Sequence, residues 1–419
     1  MKKLSVTLLV LLSSSANAAV TPEQNLGSRL FRDKNLSFNR NQSCATCHSI
    51  APLSVNQQAA TGFVDPKNVT QGSAVSRGSV RGKTCELNAM AISYSAYSPE
   101  FRWNPLKNDY VGGQFCNGRA KNLVEQAKGP FLNPLEMAMP KAWAVVNRLQ
   151  ENPTYVTLFK RLYKLDITTV PAYDATLPEP AEVAQIYDRL AHAISEFERT
   201  ATFNKFTSKL DYKYAGKTTL TPQEQLGLSL FRRARCASCH DDIFKFGPAG
   251  EVQNPSLFTN FSYENLGLPR NMNIPKIPTP NLGLGARDDI RAIDPNNLQK
   301  GKHKIPSLRN VAVTAPYEHN GVFKTLEQVV HFYNTRDTLG WVIDNNEAGF
   351  GVTGWPKPEV SENINTTIGN LGLKPEEEEA IVAFLKTLTD NYPEWGNDPR
   401  VPPGSPPAFS TIVLPPALP

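Results

Sequence analysis

Two short runs of this chain combine residue types that could bind a redox cofactor. Cys44-Ala45-Thr46-Cys47-His48 and Cys236-Ala237-Ser238-Cys239-His240 each place two cysteines three positions apart, with a histidine directly after the second. On a helical turn, positions i, i+3 and i+4 share one face. Two thiols so placed form thioethers to porphyrin vinyl groups while the imidazole meets the iron, which is the pattern of covalent haem c attachment. With 6 Cys and 6 His in 419 residues, a chance match is expected roughly 0.001 times per chain. A structural zinc site needs four ligands, and each motif offers three with no second cysteine pair nearby. A redox dithiol of the thioredoxin kind would need an alternating strand and helix context, which the sequence lacks.

The elements that must hold these motifs form an internal repeat. Residues 21–32 read TPEQNLGSRLFR and residues 221–232 read TPQEQLGLSLFR, matching at seven of twelve positions. Each copy leads into a motif, after 11 residues in the first and three in the second. Thr21 and Thr221 read as helix caps with proline at the first helical position. Apolar stripes at helical spacing follow at Val183, Ile186, Tyr187, Leu190, Ile194 and Phe197, and at Ile381, Phe384, Leu385 and Leu388. Four glutamates after Pro375 suit the positive end of the second of these helices. Strand alternation is rare, and residues 241–302, rich in Pro, Gly and Asn, read as a long functional loop.

The fold class expected is mainly α, with two cytochrome c-like haem domains and long loops. Residues 19–205 form the N-terminal domain and residues 206–390 the C-terminal one. Residues 391–419 form a tail with nine of the 34 prolines, an extended or disordered arm. Residues 1–18 read as a signal peptide: Lys2 and Lys3, an apolar run over 4–12, and Ala16-Asn17-Ala18 as the cleavage site. That run is too short to span a bilayer, and no later one approaches ~20 residues. Lys+Arg 44 against Asp+Glu 39 gives +5, too mild a surplus to argue for nucleic acid. Composition thus points to a periplasmic globular protein with no membrane span, in a compartment that permits disulfides.

The second axial position on each iron separates an electron carrier from an enzyme, because a peroxidase leaves one site open. No histidine lies between residues 49 and 191, and His192 falls opposite the apolar stripe of its helix, as a surface residue. Met90, Met137 and Met139 remain candidate ligands, although methionine is more often core filling. The first haem therefore reads as open on one side.

Further stretches complete a set: 113–120 (GQFCNGRA), 125–137 (EQAKGPFLNPLEM), 306–310 (PSLRN), 314–321 (TAPYEHNG) and 331–334 (HFYN). With both repeats, the chain resembles, over roughly residues 21 to 390, the bacterial di-haem cytochrome c peroxidases, more closely their MauG-like branch. The resemblance implies two covalent haem c groups, the N-terminal one reacting with H2O2 and the C-terminal one a second redox centre. It places Gln126, Pro130 and Glu136 in the distal pocket. Glu136 is the acid–base group that moves a peroxide proton to the departing oxygen, and Gln126 the hydrogen-bonding partner.

Tyr333 falls where ordinary members carry a methionine ligand and the MauG-like branch a tyrosine, on the distal side of the second iron. An oxygen donor favours oxidised iron, so two oxidising equivalents could spread over both haems. Met272 and His303 stay open as other ligands. Cys116 replaces the family's tryptophan between the haems, which leaves another electron route to be found, with Trp103 a candidate. Cys85 and Cys116, two lone thiols in an exported protein, suit a disulfide, with two free thiols the alternative. For the calcium ion common in the family, Thr314 and Pro316 match the backbone ligands, but Gly82 stands where an asparagine is usual and Asn88 is not assignable in its place.

The expected function is a periplasmic oxidoreductase that uses H2O2 to oxidise a protein substrate, which Tyr333 favours. One alternative is a peroxidase supplied with electrons by a small redox protein. The other, which is no enzyme, is a di-haem electron carrier.

Overall fold

The repeat copies become the helices Pro22–Arg32 and Pro222–Arg233 in the computed structural model, which describes residues 20–51, 62–246, 252–275 and 280–409. The segment read as a signal peptide lies outside these. Both helices open on capping boxes, Thr21 with Gln24 and Thr221 with Glu224, which satisfy orphan backbone donors reciprocally. Each lies against one of the two striped helices, Ala181–Glu198 and Pro375–Lys386. The conserved spacing within the repeat has a steric cause. A Cβ on Gly27 would stand 1.8 Å from the Ala193 carbonyl oxygen, and one on Gly227 1.8 Å from that of Ala380. Both crossings therefore put backbone on backbone. Gly227→Ala should lower stability by about 1–3 kcal/mol through this overpacking. Denaturant titration checks it, and an unshifted midpoint would refute the crossing.

Around each crossing a core closes. Leu26, Leu30 and Phe31 pack with Trp143, Leu190 and Ile194 in the N-terminal half, and Phe231 and Phe258 with Ile381 and Phe384 in the C-terminal half. Fully burying each such side chain contributes about 1.5–3 kcal/mol. Strand content among the described residues is four two-stranded sheets. The stretch read as one long loop contains several of these strands. Its Tyr263–Glu264 strand pairs antiparallel with His303–Lys304, Tyr263 opposite Lys304, and this pins the chain beside the second motif.

A buried polar network joins the halves. The Tyr94 hydroxyl and the Asn310 amide each donate to Asp390 Oδ2 at 2.8 Å. Arg309 grips both oxygens of Asp211 at 2.9 Å, its guanidinium 4.9 Å from the Tyr94 ring centre and 4.5 Å from that of Phe206. Part of the tail also joins the fold. The helix Tyr392–Trp395 and Val401 bury against Tyr212, whose hydroxyl donates to the Pro406 carbonyl at 2.8 Å. Of the two readings, an extended or a disordered arm, the segment is ordered as far as residue 409, held by ring and proline contacts, which have no periodicity. Among the described residues, no helix is long and apolar enough to cross a membrane.

Candidate haem sites

Both motifs wind as their spacing requires. Cys44–Cys47 is a helical turn closed by the His48 N–H on the Cys44 carbonyl at 2.8 Å, and the His240 N–H bonds the Cys236 carbonyl at 2.9 Å. Each imidazole then turns Nδ1 to a carbonyl, His48 to Phe63 at 3.1 Å and His240 to Phe258 at 3.0 Å. A carbonyl only accepts, so Nδ1 carries the proton and Nε2 is the nitrogen with a lone pair suited to a metal. Phe63 and Phe258 share φ 53, an uncommon conformation that aims both carbonyls. Burial lowers both imidazole pKa values, that of His240 to about 4, which keeps the neutral, ligating form. Cys236, Cys239 and His240 open on a cavity walled by Leu308, Val330 and Leu385. Two thiols, an imidazole and apolar walls suit a covalently held porphyrin.

Tyr333, on the helix Leu326–Thr335, lines the same cavity. Its hydroxyl donates to Glu318 Oε1 at 2.9 Å, and burial raises the pKa of both groups. Sequence reading missed Glu318, although it lies within the quoted stretch 314–321, because only the fold brings it to the pocket and to Tyr333. His303 also lines the cavity, but its Nδ1 meets the Gly301 carbonyl at 3.0 Å, its Nε2 meets Asn281 Oδ1 at 2.9 Å, and its ring stacks on His319. Met272 is 54% exposed and lines a separate surface pocket with Trp341. Neither alternative ligand is presented as Tyr333 is.

In the N-terminal half the helix Leu123–Leu132 carries Gln126 and Pro130 one turn apart, on one face. The chain then folds back, with the Met137 N–H on the Pro130 carbonyl at 3.1 Å and the Glu136 N–H on that of Asn133 at 3.0 Å. Asn133 Nδ2 donates to Glu136 Oε1 at 2.6 Å. Burial raises the Glu136 pKa against the opposing pull of Asn133 and Arg119. The Cys44, Cys47 and Cys85 thiols lie within reach of its charge. No hydrogen bond joins Gln126 to Glu136 among the described residues.

Met137 and Met139 fill the first core, and Met90 lines the second cavity. His192 is not bare surface: its Nδ1 lies 2.9 Å from Glu23 Oε1, which also accepts from the Tyr163 hydroxyl at 2.7 Å. That bond raises the imidazole pKa and lowers the carboxylate's.

The expected disulfide is not formed. Cys85 and Cys116 are both free thiols. Cys85 Sγ lies 3.8 Å from the Leu135 carbonyl oxygen near the first motif, while Cys116 lines the second cavity, where Arg119 and Lys304 act on it. Their neighbours differ, which favours two free thiols. Alkylation of the unfolded, unreduced holo-protein should label two thiols, and mass spectrometry finding none labelled would restore the disulfide. Gly82 and Asn88 differ in their surroundings. Gly82 has open space around it at φ 78, whereas Asn88 Nδ2 lies 2.6 Å from the Pro316 carbonyl oxygen and its N–H bonds that of His319 at 2.9 Å. Asn88 thus lies beside Pro316 and lines the same cavity as Thr314 and Pro316.

Comparison with known proteins agrees with this geometry. The family model described as di-haem cytochrome c peroxidase matches residues 21–219. The methylamine utilization protein MauG of Paracoccus denitrificans is 37% identical over 373 residues, covering 87% of this chain and 88% of that one. The cytochrome c551 peroxidase of Nitrosomonas europaea is 28% identical over 383 residues, covering 90% and 84%. The solved structure of the diheme peroxidase BthA from Burkholderia thailandensis superposes with TM-score 0.68 at 27% identity, covering 94% of this chain and 92% of that one. Repeat, paired motifs and kinship converge: the chain belongs to the di-haem cytochrome c peroxidase family.

Proposed function

We propose that this peroxidase uses H2O2 at its N-terminal haem site to oxidise a protein partner outside the cytoplasm. The observation that carries this reading is the buried Tyr333–Glu318 pair lining the cavity of the second motif. Two haem c groups, held by Cys44, Cys47 and His48 and by Cys236, Cys239 and His240, would supply the redox chemistry.

The remaining roles fall to the chain itself. Asn133 fixes Oε1 of Glu136, so Oε2 is the oxygen that takes a proton from peroxide and returns it to the departing oxygen. Gln126 holds peroxide or water by hydrogen bonds, with Pro130 as wall. At the second site, Tyr333 presents an oxygen donor and Glu318 receives the phenol proton when that oxygen ligates. The pair's single negative charge thereby passes from the Glu318 carboxylate to the donor oxygen of Tyr333, and an oxygen donor favours the oxidised metal. The Thr314 and Pro316 carbonyls, with Asn88 beside them, would supply oxygens of the kind calcium takes. The signal-like residues 1–18 support export.

Electron paramagnetic resonance of the resting ferric protein tests the reading. One high-spin and one low-spin centre is the expected result, and two low-spin centres inert to peroxide would reduce the protein to a carrier. Tyr333→His should keep both haems but suppress the doubly oxidised state formed with peroxide. An unchanged yield in stopped-flow absorbance would remove Tyr333 from the mechanism.

A further inference from the structure

Cys116 stands where the resemblance leads one to expect a tryptophan, so electrons need another way through the protein. A file of touching rings runs from the surface to the loop that carries Cys116. Trp103 is 42% exposed on the hairpin Arg102–Asn104 and Asp109–Val111. Its ring centre lies 5.0 Å from that of Tyr110, which stacks on Phe101 at 5.1 Å, and Phe101 meets Tyr263 at 6.0 Å. Tyr263 is fully buried, and its hydroxyl lies where a Cβ on Gly118 would come within 2.2 Å. The next residue, Glu264, and the paired His303 and Lys304 line the second haem cavity. The hairpin is tied to the C-terminal half by Lys107 on the Asn260 carbonyl at 3.0 Å and by Lys302 on Asp109 at 3.6 Å.

We infer that Trp103 is the surface port of an electron path running Trp103, Tyr110, Phe101, Tyr263 to the second haem cavity. This rests on the proposed function, which supplies the oxidant as a peroxide-oxidised haem centre. One electron leaves the Trp103 indole for that centre, and the indole radical cation releases its N–H proton to water. An electron from an external one-electron donor, with a proton from water, restores it. No other bond changes. The chemistry of the rings sorts their roles. Arg287 lies 4.0 Å over Phe101, and a cation on the ring face makes that ring harder to oxidise, so Phe101 bridges and does not hold charge. The Tyr263 phenol donates only to the Gly112 carbonyl at 2.6 Å, too weak a base to take its proton. Charge therefore settles at Trp103, beside water.

The test treats the holo-protein with H2O2 and no donor, then maps oxygen gain by peptide mass spectrometry. Trp341 is the internal control: it is 67% exposed and touches no aromatic ring among the described residues. Trp103 should gain oxygen severalfold faster than Trp341, and Tyr110→Leu should remove that preference. Trp103→Phe, an exposed change that leaves the core intact, should abolish the tryptophan radical signal of freeze-quenched samples. Equal oxidation of both tryptophans, or a preference unaffected by Tyr110→Leu, would overturn the path. A second arm needs no peroxide. A photo-oxidant attached at Leu106→Cys should oxidise ferrous haem severalfold more slowly in the Trp103→Phe background, and an unchanged rate would again overturn the path. Inertness to peroxide with an intact flash response would leave the path standing and sink the proposed function.

Discussion

Glu136→Gln should slow the spectral response of the haem protein to H2O2 by about 10²-fold or more, the usual loss when acid–base help is removed. The substitution is nearly isosteric and keeps a partner for Asn133, so haem content and stability should hold. Only the transferable proton is lost. The carboxyl is suited to that task because burial raises its pKa while Asn133 holds one oxygen. Asn133→Ala serves as the companion variant. It frees the carboxyl without deleting it, and the rate should fall by less. Stopped-flow absorbance at fixed peroxide decides, and a wild-type rate in Glu136→Gln would assign the proton transfer elsewhere.

Asp211→Ala should cost about 3–5 kcal/mol of stability, because it strands a buried guanidinium. The Arg309 and Asp211 side chains are 1% and 0% exposed. Asp211 Oδ2 also accepts from the Ser208 N–H at 3.0 Å and its hydroxyl at 2.6 Å. The loss should reach the junction between the halves, since Arg309 lies over Tyr94, the residue that reaches Asp390. Denaturant unfolding of the holo-protein measures it. Asp211→Leu combined with Arg309→Met should recover much of the loss, since a buried pair replaced whole is often neutral. An unmoved midpoint in the single variant would contradict the role given to the pair.

Much of the site lay in short-range pattern. The cysteine and histidine spacing, the capping threonines and the glycine of the repeat all act within a turn or two of helix. The stripes at Val183 to Phe197 and Ile381 to Leu388 named the two helices against which the repeat packs. Tyr333 and Glu136 entered through resemblance, and the fold adds the partners that make each chemically apt. Glu318, Asn88 and the two thiols were beyond such reading. Asn88 meets Pro316 across 228 positions and Tyr94 meets Asp390 across 296.

By itself the amino-acid order marked two motifs suited to haem attachment and the helices that precede them, because motif spacing and helical period are written into neighbours. Only the tertiary structure decided which carboxylate faces Tyr333, which asparagine reaches Pro316, that Cys85 and Cys116 stay apart, and that the tail packs as far as residue 409. Those outcomes depend on surfaces brought together after the cores close, and no local period encodes the meeting of residues so distant along the chain.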